Sequence, residues 1–245
     1  MRQLSRLHSD TRRYEEGIQE AKEASEIYVR LGDMEGQILC LIDLAWLFYH
    51  DNRLDAAEEA GLRATNLLDQ QFDVSQCHRV LGAIYDSKGE TERAVYHLET
   101  ALEITSSHNW LSPLFWTRHS LAVLFRDQGK LNDATAHVEH AKSHAIDEHD
   151  TYKLARAMTL QAGIWHIQRR FKEAKSEALG AVDAFEKLGA AHDVKEARIL
   201  LQEIDRDAQE NWQSDGLGDG SEPLEMMLII VFIDYSHSAR AAKPE

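Results

Sequence analysis

The chain predicts an all-α solenoid of antiparallel helix pairs, and three observations carry that prediction. A sparse signature returns five times: an anchor, a small residue, an aromatic or His three on, a turn, then packing positions spaced 3, 4 and 3. Its clearest copy is Leu81, Gly82, Tyr85, Gly89, Thr91, Ala94, Leu98 and Ala101. The copy after it is Leu121, Ala122, Phe125, Gly129, Leu131, Ala134, Val138 and Ala141, and the copy before it is Leu44, Ala45, Phe48, Asn52, Leu54, Ala57, Gly61 and Ala64. A fixed period of this kind decides architecture before any single residue does. Second, only three prolines occur in 245 residues, none of them interrupting a helical pattern, while Ala, Leu, Glu and Lys are abundant. Third, nothing reads as a tight turn between alternating strands.

The elements follow in register. Tyr14, Leu54, Thr91, Leu131 and Phe171 close the turn inside each pair, at spacings of 40, 37, 40 and 40. First helices are expected over residues 34–49, 74–88, 114–128 and 151–169. Second helices are expected over 54–68, 91–105, 131–145 and 171–188. Gly32, Gly89, Gly129 and Gly189 stand at the ends of apolar periodic stretches, where a residue tolerant of positive φ caps a helix. Ala57, Ala94, Ala134 and Ala174 mark where the helices of a pair approach closely, since interaxial distance follows side-chain size.

Both ends are irregular. The first repeat keeps its second helix (Tyr14, Gly17, Ala21, Ala24), but its first helix has only three residues ahead of the anchor Leu4. A start in mid-helix makes the chain look like a C-terminal portion of something longer. The fifth copy has Gln161 at its anchor, ahead of Ala162 and Trp165. Beyond it, residues 193–211 read as an amphipathic capping helix with Val194, Ala197, Leu200, Leu201 and Ile204 inward. Residues 1–211 are therefore one repeat domain: a truncated first repeat, four full ones and a cap. Residues 212–245 are an acidic, Gly-rich linker and an apolar, poorly ordered tail.

The formal charge of −15 excludes general nucleic-acid binding, which is driven by attraction to phosphates. Eight acids against Arg206 alone fall within residues 203–225, so the excess concentrates near the C-terminus. Cys40 and Cys77 each precede an anchor by four residues. They make no disulfide framework, and a reduced, cytoplasmic compartment is expected. No leader-like apolar stretch follows Met1 and no apolar run reaches the length of a bilayer span, so no membrane partner is expected.

The repeated positions resemble the tetratricopeptide (TPR) superfamily over residues 4–204, about four fifths of the chain. The units are longer than the usual ~34 residues. The longer stretches EIYVRLGDMEGQ, LAWLFYHDNRLDAAEEA, CHRVLGAIYDSKGETERAVYHLETALEI and RRFKEAKSEALGAVDAFEKLG are similar to the C-terminal TPR arrays of fungal NOD-like signal-transduction ATPases. That resemblance implies a right-handed superhelix whose concave groove senses or recruits a partner. The ATPase part of that family plan is not matched, because no G-x-x-x-x-G-K-[ST] occurs, so nucleotide-driven switching is not carried over.

In such arrays one stripe of each first helix lines the inner surface. Here it includes Trp46 and Tyr49, then Arg79, then Trp116, His119 and Arg126, then Arg156 and His166. Aromatic and Arg side chains are the usual energetic anchors of interfaces. The plainer readings stay open: the tryptophans as fillers between neighbouring repeats, the arginines as solvated faces. The expected partner is a protein or peptide with acidic and apolar side chains; the alternative is a small-ligand or peptide-sensing receptor. The Lys/Asn carboxylate clamp of chaperone-binding TPR proteins is not matched.

No catalytic constellation is present: no H-E-x-x-H, G-x-S-x-G, C-x-x-C or phosphate loop. The chain is expected to be a non-enzyme without cofactor. His137, His140 and His144 share a helical face at metal-compatible spacing, but a structural site needs about four convergent ligands, and a solvated face is expected. The tail carries eight consecutive apolar residues, Met226 to Ile233, behind acids. It matches the ligand type of the groove, so self-docking and an unpacked end are both open.

Overall fold

Among the described residues ten helices follow one another, most of them joined by turns of two or three residues. They are α1 (Tyr14–Leu31), α2 (Met34–His50), α3 (Leu54–Asn66), α4 (Gln71–Ser87), α5 (Thr91–Ser107), α6 (Leu111–Asp127), α7 (Leu131–Asp147), α8 (Thr151–Ile167), α9 (Phe171–Leu188) and α10 (Ala191–Asp215). The computed structural model describes residues 13–67 and 71–215, and no strand occurs among them. The truncated first helix and the tail, with its docking question, lie outside the described residues.

The pairs α2/α3, α4/α5, α6/α7 and α8/α9 are those expected from the signature, with α1 as the second helix of the first repeat. Among the paired helices the largest displacement of a boundary is at α4 and α6, each beginning three residues earlier than expected, and α10 ends four residues later than expected. Pro113 consequently sits in the first turn of α6, where its missing N–H costs no helical bond.

One backbone arrangement makes all the sharp turns. The residue before each second-to-last turn bond has positive φ: Gly32, Gly89, Gly129 and Gly189 as expected, but also Asn52, Asn109, His149 and Arg169. The next residue then donates its N–H back to the carbonyl five positions earlier, as in Arg53 to Phe48 (2.8 Å), Glu90 to Tyr85 (2.8 Å), Lys130 to Phe125 (2.9 Å) and Arg170 to Trp165 (2.8 Å). This is the 6→1 bond of a Schellman turn. Its donors fall at Asp33, Arg53, Glu90, Trp110, Lys130, Asp150, Arg170 and Ala190. All but one of their spacings are 20 residues, so the 40-residue period is two equal helix-plus-turn units. The 37-residue spacing arises in α3, which has 13 residues where most others have 17 or 18.

The aromatic of the signature is roofed by a cation from the same turn. Arg53 lies 4.7 Å from the Phe48 centroid, Lys130 5.5 Å from Phe125, and Arg170 4.9 Å from Trp165. In the remaining full repeat Glu90 holds the turn position, and Arg93, one helical turn on, lies 3.7 Å from Tyr85 while bonding Glu90 at 2.6 Å. Tyr85 is itself fully buried and donates its hydroxyl to Glu58 of α3 at 2.8 Å, which ties adjacent repeats together.

The helices of each pair approach over small side chains. Ala57, Ala94, Ala134 and Ala174 are fully buried, as are Ala45, Ala122 and Ala162 after the anchors and Ala64, Ala101, Ala141 and Ala181 further along. At Gly82 the approach is closer still: a Cβ there would lie 2.5 Å from Cγ of buried Leu98 and 3.3 Å from the Ala94 carbonyl oxygen. α10 packs on α9 and buries Ala197 and Ile204 as expected. It also occupies the place of a further first helix, tied to α8 by Arg156–Asp193 (3.2 Å) and His166–Asp207 (2.9 Å) and to the turn after α8 by Arg169–Asn211 (3.0 Å).

Two stability measurements follow from this packing. In Gly82→Ala the overpacking of ~1–3 kcal/mol outweighs a helix-propensity gain of ~1 kcal/mol, so the urea midpoint falls. Gly163→Ala, where no atom lies within 4 Å of the new Cβ, raises the midpoint. A rise in both variants contradicts the close approach at Gly82. Gln161 is a buried amide in an anchor position, and its Nε2 has no partner. Gln161→Leu restores the anchor found in the other repeats and is expected to stabilise the chain by about 1–2 kcal/mol; a loss of stability would show that the amide is satisfied.

Candidate functional site

The first helices α2, α4, α6 and α8 each turn one stripe toward a common hollow of about 520 Å³. Of the residues expected in the groove, Trp46, Tyr49, Arg79, Trp116, His119 and Arg156 line it. Ala83 and Val123, small or branched, lie between them, as the spacing of the stripe requires. Two expected residues do not line it. Arg126 bonds Asp127 at 2.8 Å, and His166 is drawn to Asp207 of α10 at 2.9 Å. No feature of the stripe signals the second pairing, because Asp207 belongs to a helix whose register the repeat signature does not define.

An aromatic corner forms one wall. Trp46 meets Tyr49 edge-on at 5.6 Å and stacks on His50 at 5.8 Å, while the Arg79 guanidinium lies 4.6 Å from the Trp46 centroid. Aromatic pairs and cation–π contacts of this kind fix side-chain orientation as well as stabilising it. Trp116 and His119 form the facing corner, with ring centroids 6.1 Å apart. His50 falls outside the inner stripe, one residue past Tyr49, so only its ring neighbours reveal its part in the wall.

The electrostatics differ from a simple cationic groove. Arg79 and Arg156 line the hollow, but so do Asp43 and Asp86. Asp43, one residue before the anchor Leu44, lies off the stripe and was not legible as a wall residue. Burial, with the Asp127 charge behind it, raises the Asp86 pKa against the pull of Arg126. His119 is pushed down to about 3, first by burial and then by Arg156, Arg126 and Arg79, whose fields converge on it. It is a neutral hydrogen-bonding group at physiological pH.

Among the described residues the cysteines and the histidine trio expected from the sequence do not assemble into a site. Cys40 and Cys77 are both buried and unbridged, and burial together with Asp73 pushes the Cys77 thiol to about 12, far from a nucleophilic thiolate. His137, His140 and His144 do not converge on a point. His137 instead stacks on Phe125 at 5.4 Å, half-buried where a solvated face was expected. Among the described residues, one trio has donor atoms mutually within 4.8 Å: His192, Asp193 and Glu196. Its Asp193 is already engaged by Arg156.

With this geometry in hand, comparison with known proteins places the fold. No family model and no curated protein matches the chain. Solved structures do. BtubC (BKLC) from P. vanneervenii superimposes with a TM-score of 0.60 at 16% identity, over 86% of this chain and 94% of that one. A Rap protein complexed with Competence and Sporulation Factor gives 0.61 at 14%, over 85% and 63%. Aspartyl phosphate phosphatase F from Bacillus subtilis gives 0.58 at 12%, over 84% and 58%. The fold is a helical-repeat solenoid. At such identities the likeness is one of fold alone, and the chain spans less than two thirds of the length of the last two proteins. No described helix is long and apolar enough to cross a membrane.

The depressed histidines set a pH dependence. His119 (about 3) and His97 (about 4, lowered by burial, His78 and Arg93) are neutral in the fold, whereas in the unfolded chain they protonate near 6.5. The unfolded state therefore binds more protons below that value, and the stabilisation present above pH 6.5 is lost as pH falls toward the folded values. Each group adds a slope of up to ~1.4 kcal/mol per pH unit. Urea unfolding of His119→Gln between pH 7.5 and 5 is expected to show a shallower loss than wild type; equal slopes would refute the assignment.

Proposed function

We propose that the chain is a non-catalytic binding scaffold that takes a protein or peptide segment in the hollow between α2, α4, α6 and α8. The observation that carries this reading is the convergence of Trp46, Trp116, Arg79 and Arg156 on one half-buried hollow. Tryptophan and arginine are the residues that most often dominate binding energy. The segment carries an apolar side chain for the tryptophan corners and an acidic group for the arginines. Asp43 and Asp86 in the same lining repel a uniformly acidic ligand, so the fitting sequence mixes charge with apolar groups.

A second reading, a small-ligand or peptide-sensing receptor, draws on the size of the hollow. About 520 Å³ falls within the ~300–1,000 Å³ of small-molecule sites, and a protein of similar fold was solved with Competence and Sporulation Factor. The wider placement, as the sensing or recruiting part of a larger cytoplasmic signalling protein of NOD-like plan, rests on the sequence stretches that resemble that family. In the same reading residues 1–211 form one repeat domain with α10 as its cap, and tail self-docking would use the acidic and apolar residues beyond it.

Selection from a displayed random peptide library on the whole chain tests the proposal. Enriched peptides are expected to pair acidic with large apolar residues. Arg79→Glu combined with Arg156→Glu should weaken them ~10–100-fold, the loss of one or two hot-spot contacts, with the far-UV circular dichroism unchanged. Undiminished binding by the folded double variant would remove the hollow as the site.

A further inference from the structure

The four first helices that wall the hollow share one register, and their closing turn bonds fix it. Asn52 donates its N–H to the Tyr49 carbonyl (3.0 Å), Gly89 to Asp86, Gly129 to Arg126 and Arg169 to His166 (each 2.9 Å). Tyr49, Asp86, Arg126 and His166 therefore stand at one level, in the last turn of α2, α4, α6 and α8. Arg79 and His119 stand at a second level, seven residues nearer the N-terminal ends, which is about 10 Å away at ~1.5 Å per residue. Ala83, between Arg79 and Asp86 on α4, is small and leaves the space between the levels open.

The two levels offer a ligand different groups. Arg79, the neutral His119 and, one turn further on, Arg156 give the first level N–H donors for a carboxylate. Arg156 is held from outside by Asp193 at 3.2 Å, and Asp43 beside this level is buried. At the far level the cations are already engaged: Arg126 bonds Asp127 at 2.8 Å, and His166 bonds Asp207 at 2.9 Å. Asp86 is half-buried in the lining, with no hydrogen bond or ion pair to its carboxylate among the described residues. Burial raises its pKa, and the Asp127 charge adds to this against Arg126, so the fold supplies it no adequate counter-charge. Tyr49 lines the hollow at the same level, and an aromatic ring beside an acid suits a cation.

We infer that the hollow takes a peptide segment carrying both an acidic and a basic group, and that Asp86 selects it by binding the basic one. This rests on the reading of the hollow as a peptide site and adds the second charge of the ligand and its position. The acid lies among the N–H donors at the Arg79 level, and the ammonium or guanidinium lies at Asp86. An extended chain advances ~3.3–3.6 Å per residue, so the two charged residues stand about three apart. Apolar side chains of the same segment meet the Trp46 and Trp116 corners. A ligand with acids at both places meets Asp86 as a like charge, and one with bases at both places meets Arg79 and Arg156, so each is rejected.

The test is a displayed random peptide library selected in parallel on the whole wild-type chain and on Asp86→Asn, whose amide keeps the size of the carboxylate. Wild type is expected to enrich Lys or Arg about three residues from an Asp or Glu; Asp86→Asn keeps the acid and loses the preference for the base. One enriched peptide, and its counterpart with Gln in place of the base, are then titrated against both proteins by calorimetry. The base is expected to strengthen binding about tenfold on wild type, the effect of one charge-assisted hydrogen bond. On Asp86→Asn it should add no more than about twofold, a coupling that a merely structural role of Asp86 does not produce. Two results would overturn the role of Asp86 and leave the peptide site standing: equal strengthening on both proteins, or enriched peptides without a base whose binding still falls when Arg79→Glu and Arg156→Glu are combined. Binding untouched by the two arginine substitutions would overturn the peptide site itself, and this inference with it.

Discussion

The turn bond that returns a backbone N–H to the carbonyl five residues earlier governs this molecule. It reverses the chain within two or three residues, so a helix that follows it has no choice but to lie against the one before it. Three of its donors, Arg53, Lys130 and Arg170, also lay their cationic side chains over the aromatic ring whose carbonyl they bond. One residue thus sets both the backbone reversal and the burial of the ring beneath it. Where Glu90 replaces the cation, Arg93 reaches back to do the same work, which shows that the roofed ring is the requirement and the residue number is negotiable. Even the strain of positive φ at His149 and Arg169, side chains that rarely adopt it, is accepted to keep the turn.

Given that reversal, the alanines decide how near two helices come. Their side chains add almost nothing to the buried apolar area, so the gain is in the contact they permit: Leu98, Leu121, Ile164 and Phe185 pack fully where a larger neighbour would hold the axes apart. Charged groups play a second, lateral role. Glu58 with Tyr85 and Lys88, Lys142 with Glu177, and Lys153 with Ser112 and Glu148 each join a helix to a neighbouring helix or turn.

The repeat spacing made the helix pairs legible, because glycine at a positive-φ position and alanine at a close approach are needed for local reasons that a sequence displays. It hid the twenty-residue half-period, since Asn109 and His149 hold at the second kind of turn the place that glycine holds at Gly32 and Gly189. Residues of the hollow were legible where they lie on the inner stripe, as Trp46, Arg79 and Trp116 do. Asp43 and His50 were not, being positioned by the width of the wall and not by its period. Arg126 and His166 lie on the stripe but outside the lining of the hollow: the Arg126 guanidinium turns to its chain neighbour Asp127, and His166 to Asp207 of α10, whose register no repeat spacing encodes.

The walls of the hollow have a mechanical consequence. Each of α2, α4, α6 and α8 touches the next in that series, but α2 and α8 share no contact. An array coupled only between nearest neighbours bends and twists easily along its length. A guest held at once by Trp46 and Arg156 joins the two ends of that series through its own body. The protein gains a cross-brace that its own chain does not supply, and occupancy becomes readable far from the guest as the stiffness and curvature of the whole coil.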